Sequence, residues 1–244
     1  MSEHPAPPGY ESFLVGRARV VALKEVRLAI ESSMTGVTLH EWASRQVGAI
    51  PMQGRATAWA TTLPSGVETV VRHSHHGGLF APVTGDLFLA PTRAPRELAA
   101  ALRLAPVGVM TPEVIAYAIY PAFGPLVRAD VATRLLRGAP LPEAWRAAGT
   151  EGARWVLVEA IARLLESLHR AGATHPDLNV RNVLITDGGV AAVLDVDRVS
   201  FGTAAAGANV QRLLRSMAKQ RVGNGVDLTS KQVARMRAAD GAAA

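Results

Sequence analysis

The stretch HPDLNVRN, residues 175–182, collects side chains of the kinds that move protons and hold hard cations. Asp177 and Asn182 precede a short apolar run, and Asp195 follows the next one. Carboxylates that gather at one place repel one another, so the arrangement persists more easily with a cation among them. The chain has no cysteine, and oxygen ligands favour Mg²⁺. The residues therefore predict a magnesium site.

The spacing of these residues predicts phosphoryl transfer. Protein kinases place an Asp before an Asn in the catalytic loop, and a second Asp opens the metal motif after a hairpin. In that scheme Asp177 accepts the proton of the attacking hydroxyl, while Asn182 and Asp195 hold Mg²⁺ on the nucleotide phosphates. Taken one at a time, the three also suit a turn or cap, a strand edge and a loop acid.

A hairpin is the element that must bring these residues together. The runs NVLI (182–185) and VAAVL (190–194) read as two short strands, and the Asp-Gly-Gly sequence between them predicts a tight turn. The preceding stretch ARWVLVEAIARLLESLHRAG has apolar residues at helical spacing, and Gly172 marks its end. We therefore expect a helix followed by a hairpin.

The first half of the chain reads mainly as strands. Residues 55–72 predict strand, turn and strand, and residues 94–104 predict a helix. VIAYAIYP and LVRADVATRLL predict further strands. Residues 13–50 are ambiguous apart from a helical TLHEWASRQ, and residues 1–12 form a loose proline-rich lead. A β-rich first half and a helical second half suggest two lobes with a cleft between them.

The charge balance favours an anionic partner. The net charge is +6, and the start of the chain lacks the pattern of a signal peptide, which predicts a cytoplasmic protein. Residues 210–237 carry seven basic side chains and one acid. That segment is either a solvated helix face or a contact with an anionic membrane surface.

The motifs resemble those of the bacterial 3-deoxy-D-manno-octulosonic acid (Kdo) kinases, within the protein-kinase-like lipopolysaccharide kinases. THPDLNVRNVLI and VLDVDR are similar to the catalytic and metal motifs of that family, with Val196 in place of its usual Phe and Asp197 as a family trait. The resemblance covers roughly residues 54 to 221. Its other segments are VVRHSHHGGL, TRAPRE, VRADVATRLL and NVQRLLRS.

The resemblance implies an α+β, protein-kinase-like fold, with a β-rich N-lobe at 1–136, a mainly helical C-lobe at 137–238, and an active-site cleft between the lobes. Residues 239–244 are expected to be a disordered tail. It implies an ATP- and Mg²⁺-dependent phosphotransferase that phosphorylates a hydroxyl of Kdo on lipid A, at the cytoplasmic face of the inner membrane. The implied partners are ATP and an anionic glycolipid, with peripheral membrane contact and no nucleic acid.

The resemblance also assigns nucleotide contacts. Arg72 stands where the family places a basic residue on the third strand, and Glu97 would be its partner on the following helix. Glu97 also suits a helix first turn without any function. Gly54 lies in QGRATAW, at the place of the phosphate-covering loop, which could equally be an ordinary hairpin end.

Five further residues are candidate substrate contacts. His73 and His76 border the expected cleft, where they could meet an acidic sugar. As an alternative, the run HSHH could bind a metal, because His73 and His75 would share a strand face. Asn179 could orient the substrate or the base, and Arg181 could reach a phosphate or face solvent. Asp197 completes the set, while His175 is expected to brace the loop.

Two rival functions stay open at this point. One is a kinase for another small molecule, such as an aminoglycoside, a choline-like alcohol or another sugar. The other is a pseudokinase that only binds, which Arg72 in place of Lys and the glycine-poor loop favour.

Overall fold

The computed structural model describes residues 6–52, 58–75, 85–89, 92–202, 206–224 and 227–241, except the side chains of 220–224. The chain forms two compact units. The first comprises Met1–Leu98 and Glu113–Leu135, and the second comprises Ala99–Pro112 and Leu136–Ala244. The division is thus discontinuous in sequence, whereas the prediction used one boundary after residue 136. The inserted segment is held in the second unit, where the Val193 N–H donates to the Met110 carbonyl at 2.9 Å.

The first unit is built on an antiparallel sheet with the order β1-β2-β7-β8-β5-β4-β3, and β6 pairs with β8. Its strands are β1 (Tyr10–Val15), β2 (Ala18–Leu23), β3 (Ile50–Met52), β4 (Ala58–Thr62), β5 (Glu68–His73), β6 (Phe88–Leu89), β7 (Val114–Pro121) and β8 (Leu126–Arg134). The predicted strand, turn and strand within 55–72 is confirmed for β4 and β5. A turn at Gly66, with φ of 85°, joins them.

Three helices accompany this sheet: α1 (Arg27–Ser33), α2 (Leu39–Ser44) and α3 (Ala94–Leu104). The bounds of α3 match the predicted helix. Thr38 and Glu41 form a capping box that starts α2. Buried Ile30 and Leu39 pack with strand residues such as Ile115 in one core cluster.

The start of the chain is more ordered than the sequence predicted. Residues 10–12 belong to β1 rather than to a loose lead. Tyr10 is buried, and its hydroxyl donates to the Val114 carbonyl at 2.6 Å. The short strands β1 and β2 become stable because they extend the sheet beyond β7.

The second unit combines helices with two small sheets. Its elements are β9 (Gly138–Pro140), α4 (Leu141–Ala147), α5 (Glu151–Arg170), β10 (Ala173–Thr174), β11 (Val183–Thr186), β12 (Ala191–Val193), β13 (Ser200–Phe201), α6 (Ala208–Asn224) and α7 (Ser230–Ala239). One sheet has the order β12-β11-β9, and the other pairs β10 with β13. The predicted helix and hairpin are confirmed as α5 and as β11 with β12. None of the helices in the described ranges is long and apolar enough to cross a bilayer.

The prediction of a disordered tail from residue 239 is wrong for the residues 239–241 that the structure describes. Ala239 ends α7, and Ala239 and Asp240 are both buried. The Asp240 side chain accepts a hydrogen bond from the Val210 N–H at 2.9 Å, and its carbonyl accepts one from the Gly207 N–H at 2.9 Å. Asp240 therefore caps the N-terminus of α6. Residues 242–244 lie outside the described part of the chain.

Candidate functional site

The hairpin of β11 and β12 brings the predicted residues Asp177, Asn182 and Asp195 together. Val183 pairs with Val193, and one step further the Leu194 N–H donates to the Asn182 carbonyl at 2.8 Å. Asp195 follows directly. The Asn182 side-chain amide donates to the Asp177 carbonyl at 2.9 Å. A continuous chain of short contacts therefore runs from Asp177 through Asn182 to the residue before Asp195.

Asp195 has an unusual backbone. Its φ of 62° and ψ of 51° lie in the left-handed region. Within the described ranges, every other residue with a positive φ is a glycine. This conformation costs a residue other than glycine about 1–2 kcal/mol, although Asp tolerates it better than most. A single-turn 3₁₀ helix begins immediately after it at Val196. The chain therefore turns at the residue predicted to hold a metal, in a backbone conformation that lowers the stability of the fold.

His175 braces the loop without carrying charge. Its Nδ1 accepts a hydrogen bond from the Asp177 N–H at 3.2 Å, and its Nε2 lies 3.2 Å from the Leu194 carbonyl. A ring that accepts at one nitrogen and donates at the other is neutral. Burial, the largest effect, lowers the pKa of His175 below its ordinary value, which favours the same state. The predicted bracing role is confirmed.

Helix α6 holds the same loop from the other side. The Asn209 side chain accepts a hydrogen bond from the His175 N–H and donates one to the Ala173 carbonyl, both at 2.9 Å. The Ser216 hydroxyl accepts from the Val180 N–H at 3.1 Å. Asn209 and Ser216 are seven residues apart, so both lie on one face of the helix. Neither role was predicted from the sequence, although two polar residues at helical spacing were a usable signal.

Asn179 shapes the loop rather than reaching away from it. Its side-chain amide donates to the Asp177 carbonyl at 2.9 Å, and its oxygen accepts from the Arg181 N–H at 2.9 Å. Asn179 therefore fixes the main chain of Asp177, and its role in orienting the substrate or the base stays a prediction. Arg181 has an exposed side chain, and Asp197 is half-buried in the turn after Asp195.

The donor groups fit a magnesium ion that is shared with a nucleotide. The nitrogen of the Asn182 amide donates to the Asp177 carbonyl, so the amide oxygen is the atom that could bind a metal ion. In the described ranges there is no group of three or more His, Cys, Asp or Glu side chains that could hold an ion. Mg²⁺ suits such a sparse set, since it is commonly bound by one or two carboxylates together with substrate phosphates.

Arg72 and Glu97 form the predicted ion pair in the first unit. Arg72 lies on β5 between Ala58 of β4 and Val131 of β8. Glu97 lies in the first turn of α3, and its carboxylate contacts the Arg72 guanidinium. The Glu97 side chain is 7% exposed, so Arg72 compensates a carboxylate that water hardly reaches.

The structure corrects the predicted substrate role of His73. Its Nδ1 lies 2.5 Å from Asp130 and its Nε2 lies 3.0 Å from Asp86, so both nitrogens are already engaged. Burial of the ring opposes protonation. The hydrogen bond and charge of Asp130, and then those of Asp86, outweigh it and raise the pKa of His73. We therefore reassign His73 as a positively charged residue that ties three segments together.

The His73 network extends to the start of α2. Oδ2 of Asp130, which is fully buried, accepts hydrogen bonds from the His40 N–H and the Tyr120 hydroxyl, both at 2.9 Å. Asp86 contacts the Arg128 guanidinium at 2.6 Å. The network therefore joins α2, β5, β7 and β8. The predictions for His76 and Gly54 fall on residues outside the described ranges.

Comparison with known proteins gives a consistent result. The sequence profile of the lipopolysaccharide kinase (Kdo/WaaP) family matches residues 40–239. A 3-deoxy-D-manno-octulosonic acid kinase of Stenotrophomonas maltophilia is 34% identical over 194 residues, which cover 76% of each chain. One of Xylella fastidiosa is 28% identical over 211 residues, covering 84% of this chain and 83% of the other.

A solved structure supports the fold. The structure of WaaP in complex with acyl carrier protein is similar with a TM-score of 0.58 and 20% sequence identity. The similarity covers 91% of this chain and 88% of that chain. The expected α+β, protein-kinase-like fold is thereby confirmed.

Proposed function

The chain belongs to the lipopolysaccharide kinase (Kdo/WaaP) family, and on that premise we propose that it transfers phosphate from ATP to a hydroxyl of Kdo on lipid A. As a member of this family it is a phosphotransferase with an alcohol group as acceptor, acting in lipopolysaccharide core biosynthesis. The names of the relatives support Kdo as the acceptor sugar. A lipid A acceptor places the reaction at the cytoplasmic face of the inner membrane.

The observation that carries the proposal is the contact chain through Asp177, Asn182 and Asp195. In the proposed reaction Asp177 orients the acceptor hydroxyl and takes its proton. Asn182 and Asp195 hold Mg²⁺, which supplies charge neutralisation on the β- and γ-phosphates when bound with ATP. The neutral side chains of His175, Asn179 and Asn182 hold the main chain of Asp177 and so position its carboxylate.

The remaining assignments rest on the same scheme. Arg72, aligned by Glu97, contacts the nucleotide phosphates, and the backbone around Gly54 covers them. Arg181 and Asp197 are the substrate contacts that the loop presents, and His76 stays a candidate. The predicted lobes at 1–136 and 137–238 are proposed as the nucleotide-covering and catalytic parts, with residues 99–112 belonging to the catalytic part.

The decisive experiment is phosphate transfer to Kdo-lipid A followed by mass spectrometry. We expect one added phosphate with ATP and Mg²⁺, and none when the magnesium is chelated. Transfer to aminoglycosides, choline-like alcohols or other sugars, without transfer to Kdo-lipid A, would replace the proposed acceptor.

A binding measurement tests the metal ligands separately. We expect ATP with Mg²⁺ to raise the melting temperature more than ATP alone, and Asp195→Asn to abolish that difference. Equal stabilisation of Asp195→Asn by both conditions confirms Asp195 as a ligand, whereas an unchanged difference removes it from the site.

A further inference from the structure

The turn that carries Asp195 lies between two short strands of the second unit. β12 ends at Val193, and β13 begins at Ser200. Between them the chain passes through the left-handed Asp195 and then through the 3₁₀ helix Val196–Arg198. We call residues 194–199 the metal turn. A strained backbone conformation persists only where the surrounding structure holds it, so both ends of this turn need to be fixed.

The first end of the metal turn is fixed from two sides. The Leu194 N–H donates to the Asn182 carbonyl at 2.8 Å, which continues the hairpin. The Val193 N–H, one residue earlier, donates to the Met110 carbonyl at 2.9 Å. Met110 lies in the loop that follows α3. The end of β12 is therefore bonded both to its hairpin partner and to this loop.

The second end is fixed by a short ladder and by a side chain of α3. Phe201 of β13 pairs with Ala173 of β10, and each of these strands has two residues. A two-stranded sheet of this size is marginally stable by itself. The Cζ atom of Arg103, in the last turn of α3, lies 4.0 Å from the centre of the Phe201 ring. This cation–π contact adds to the stability of the ladder.

The position of Arg103 is explained by the Phe201 ring. Arg103 is exposed, and within the described part of the chain no carboxylate forms an ion pair with it. Arg27 of the first unit also lies over a ring, 4.9 Å from the centre of Phe13, but it forms ion pairs with two glutamates as well. Those ion pairs can hold Arg27 without the ring, whereas Arg103 depends on its aromatic partner.

We propose that Arg103 is a positioning residue for Asp195, and that it acts by holding Phe201 at the end of the metal turn. The proposal rests on the proposed function, in which Asp195 is a ligand of Mg²⁺. One stretch of chain then fixes both ends of the turn, since α3 supplies Arg103 and the loop after it supplies the Met110 carbonyl. Asp195 is thereby kept in its left-handed conformation before the ion binds, so binding does not have to order it.

Hydrogen exchange followed by mass spectrometry tests this contact without any metal. Peptides covering residues 194–202 should exchange about two- to fivefold faster in Arg103→Gln and at least as much faster in Phe201→Leu, which is the range expected for an exposed cation–π contact. Phe201→Tyr keeps the aromatic face and should exchange as the wild type does. The double variant Arg103→Gln, Phe201→Leu should exchange no faster than Phe201→Leu, because both changes remove the same contact. Unchanged exchange in Arg103→Gln would overturn the proposal.

The effect on the ion is measured by titrating Mg²⁺ at a fixed ATP concentration and following the melting temperature. Arg103→Gln should need about two- to fivefold more Mg²⁺ than the wild type for half of the stabilisation, and Phe201→Tyr should need the same amount as the wild type. Arg27→Gln, which removes the cation–π contact of the first unit, is the matched control and should leave the Mg²⁺ requirement unchanged.

Two outcomes of this titration would contradict a positioning role. One is an unchanged Mg²⁺ requirement in Arg103→Gln, and the other is an equal increase in Arg27→Gln. A wild-type protein whose stabilisation by ATP does not depend on Mg²⁺ would refute the proposed function instead. The exchange rates of the metal turn would then still decide whether Arg103 holds it.

Discussion

The two units each bury a histidine beside their site residues, and they use it in opposite protonation states. His73 lies between the carboxylates of Asp130 and Asp86, and its pKa is raised. His175 lies between a main-chain N–H and a main-chain carbonyl, and its pKa is lowered. The first unit is therefore held by charges that neutralise one another, whereas the catalytic loop is held by neutral groups.

This difference has a chemical reason. The ion pairs of the first unit fix strands, and their carboxylates are occupied by these contacts. In the second unit the proposed reaction needs the carboxylates of Asp177 and Asp195 for a proton and a cation. Bracing by cations would compensate them and weaken both roles. Amide, hydroxyl and neutral imidazole groups hold the main chain and add no positive charge of their own.

The largest expected effect comes from replacing the Asp177 carboxylate with an uncharged amide of nearly the same shape. Asp177→Asn should lower kcat by roughly 10²- to 10⁴-fold, the usual contribution of a general base. Its melting temperature should stay close to that of the wild type, because the loop is held through the Asp177 main chain. A steady-state assay with Kdo-lipid A and a thermal melt measure both. A large fall in melting temperature would show that the carboxylate is structural.

Breaking the neutral brace should affect stability first. Asn209→Ala leaves the His175 N–H and the Ala173 carbonyl without their buried partner, at about 1–3 kcal/mol for each group. Urea unfolding should show this loss, and Ser216→Ala, which removes one hydrogen bond, should lose less. Equal stability of the two variants would contradict the claim that Asn209 contributes more to the stability of the loop than Ser216 does.

The ion pair between Arg72 and Glu97 can be tested with two matched variants of Arg72. Arg72→Met leaves the buried Glu97 carboxylate uncompensated and should cost about 1–3 kcal/mol in urea unfolding, with a raised KM for ATP. Arg72→Lys keeps the charge and should recover most of the stability. If Arg72→Met raised the KM for ATP no more than Arg72→Lys did, the proposed contact between Arg72 and the nucleotide phosphates would be refuted.

The smallest effect is also the sharpest test of the comparison. Stability contributed by His73 is fully present below the unfolded pKa of about 6.5 and is lost as the pH rises through its raised folded pKa. Stability contributed by His175 is present above about 6.5 and is lost as the pH falls through its lowered folded pKa. Urea unfolding of His73→Gln and His175→Gln across pH 5 to 8 should therefore give differences from wild type with opposite slopes. Slopes of the same sign would refute the assignment of charge states.

The sequence predicted what is local. The hairpin and the spacing of Asp177, Asn182 and Asp195 follow from turn residues and short apolar runs. The α3 helix with Glu97 follows from Pro95 in its first turn. The partners of His73 were not predictable in this way, because Asp130 is 57 residues distant and pairs with it only across two strands.

The errors have the same origin. Residues 10–12 look like a loose lead until β7 supplies an edge for them to extend. Asp240 looks like part of a tail until α6 supplies N–H groups for it to cap. Asn209 and Ser216 lie on a helix whose polar face looks solvated from the sequence. In each case a partner distant in sequence decides the structure.

The cap at Asp240 connects the end of α7 to the catalytic loop through a series of hydrogen bonds. Asp240 fixes the start of α6, Asn209 in that first turn holds His175, and His175 holds the main chain of Asp177. A protease that removed the residues from Asp240 onward would leave every motif intact and still loosen the catalytic loop. Slow loss of activity on storage would then report trimming of the terminus, and an affinity tag is better attached at the other end.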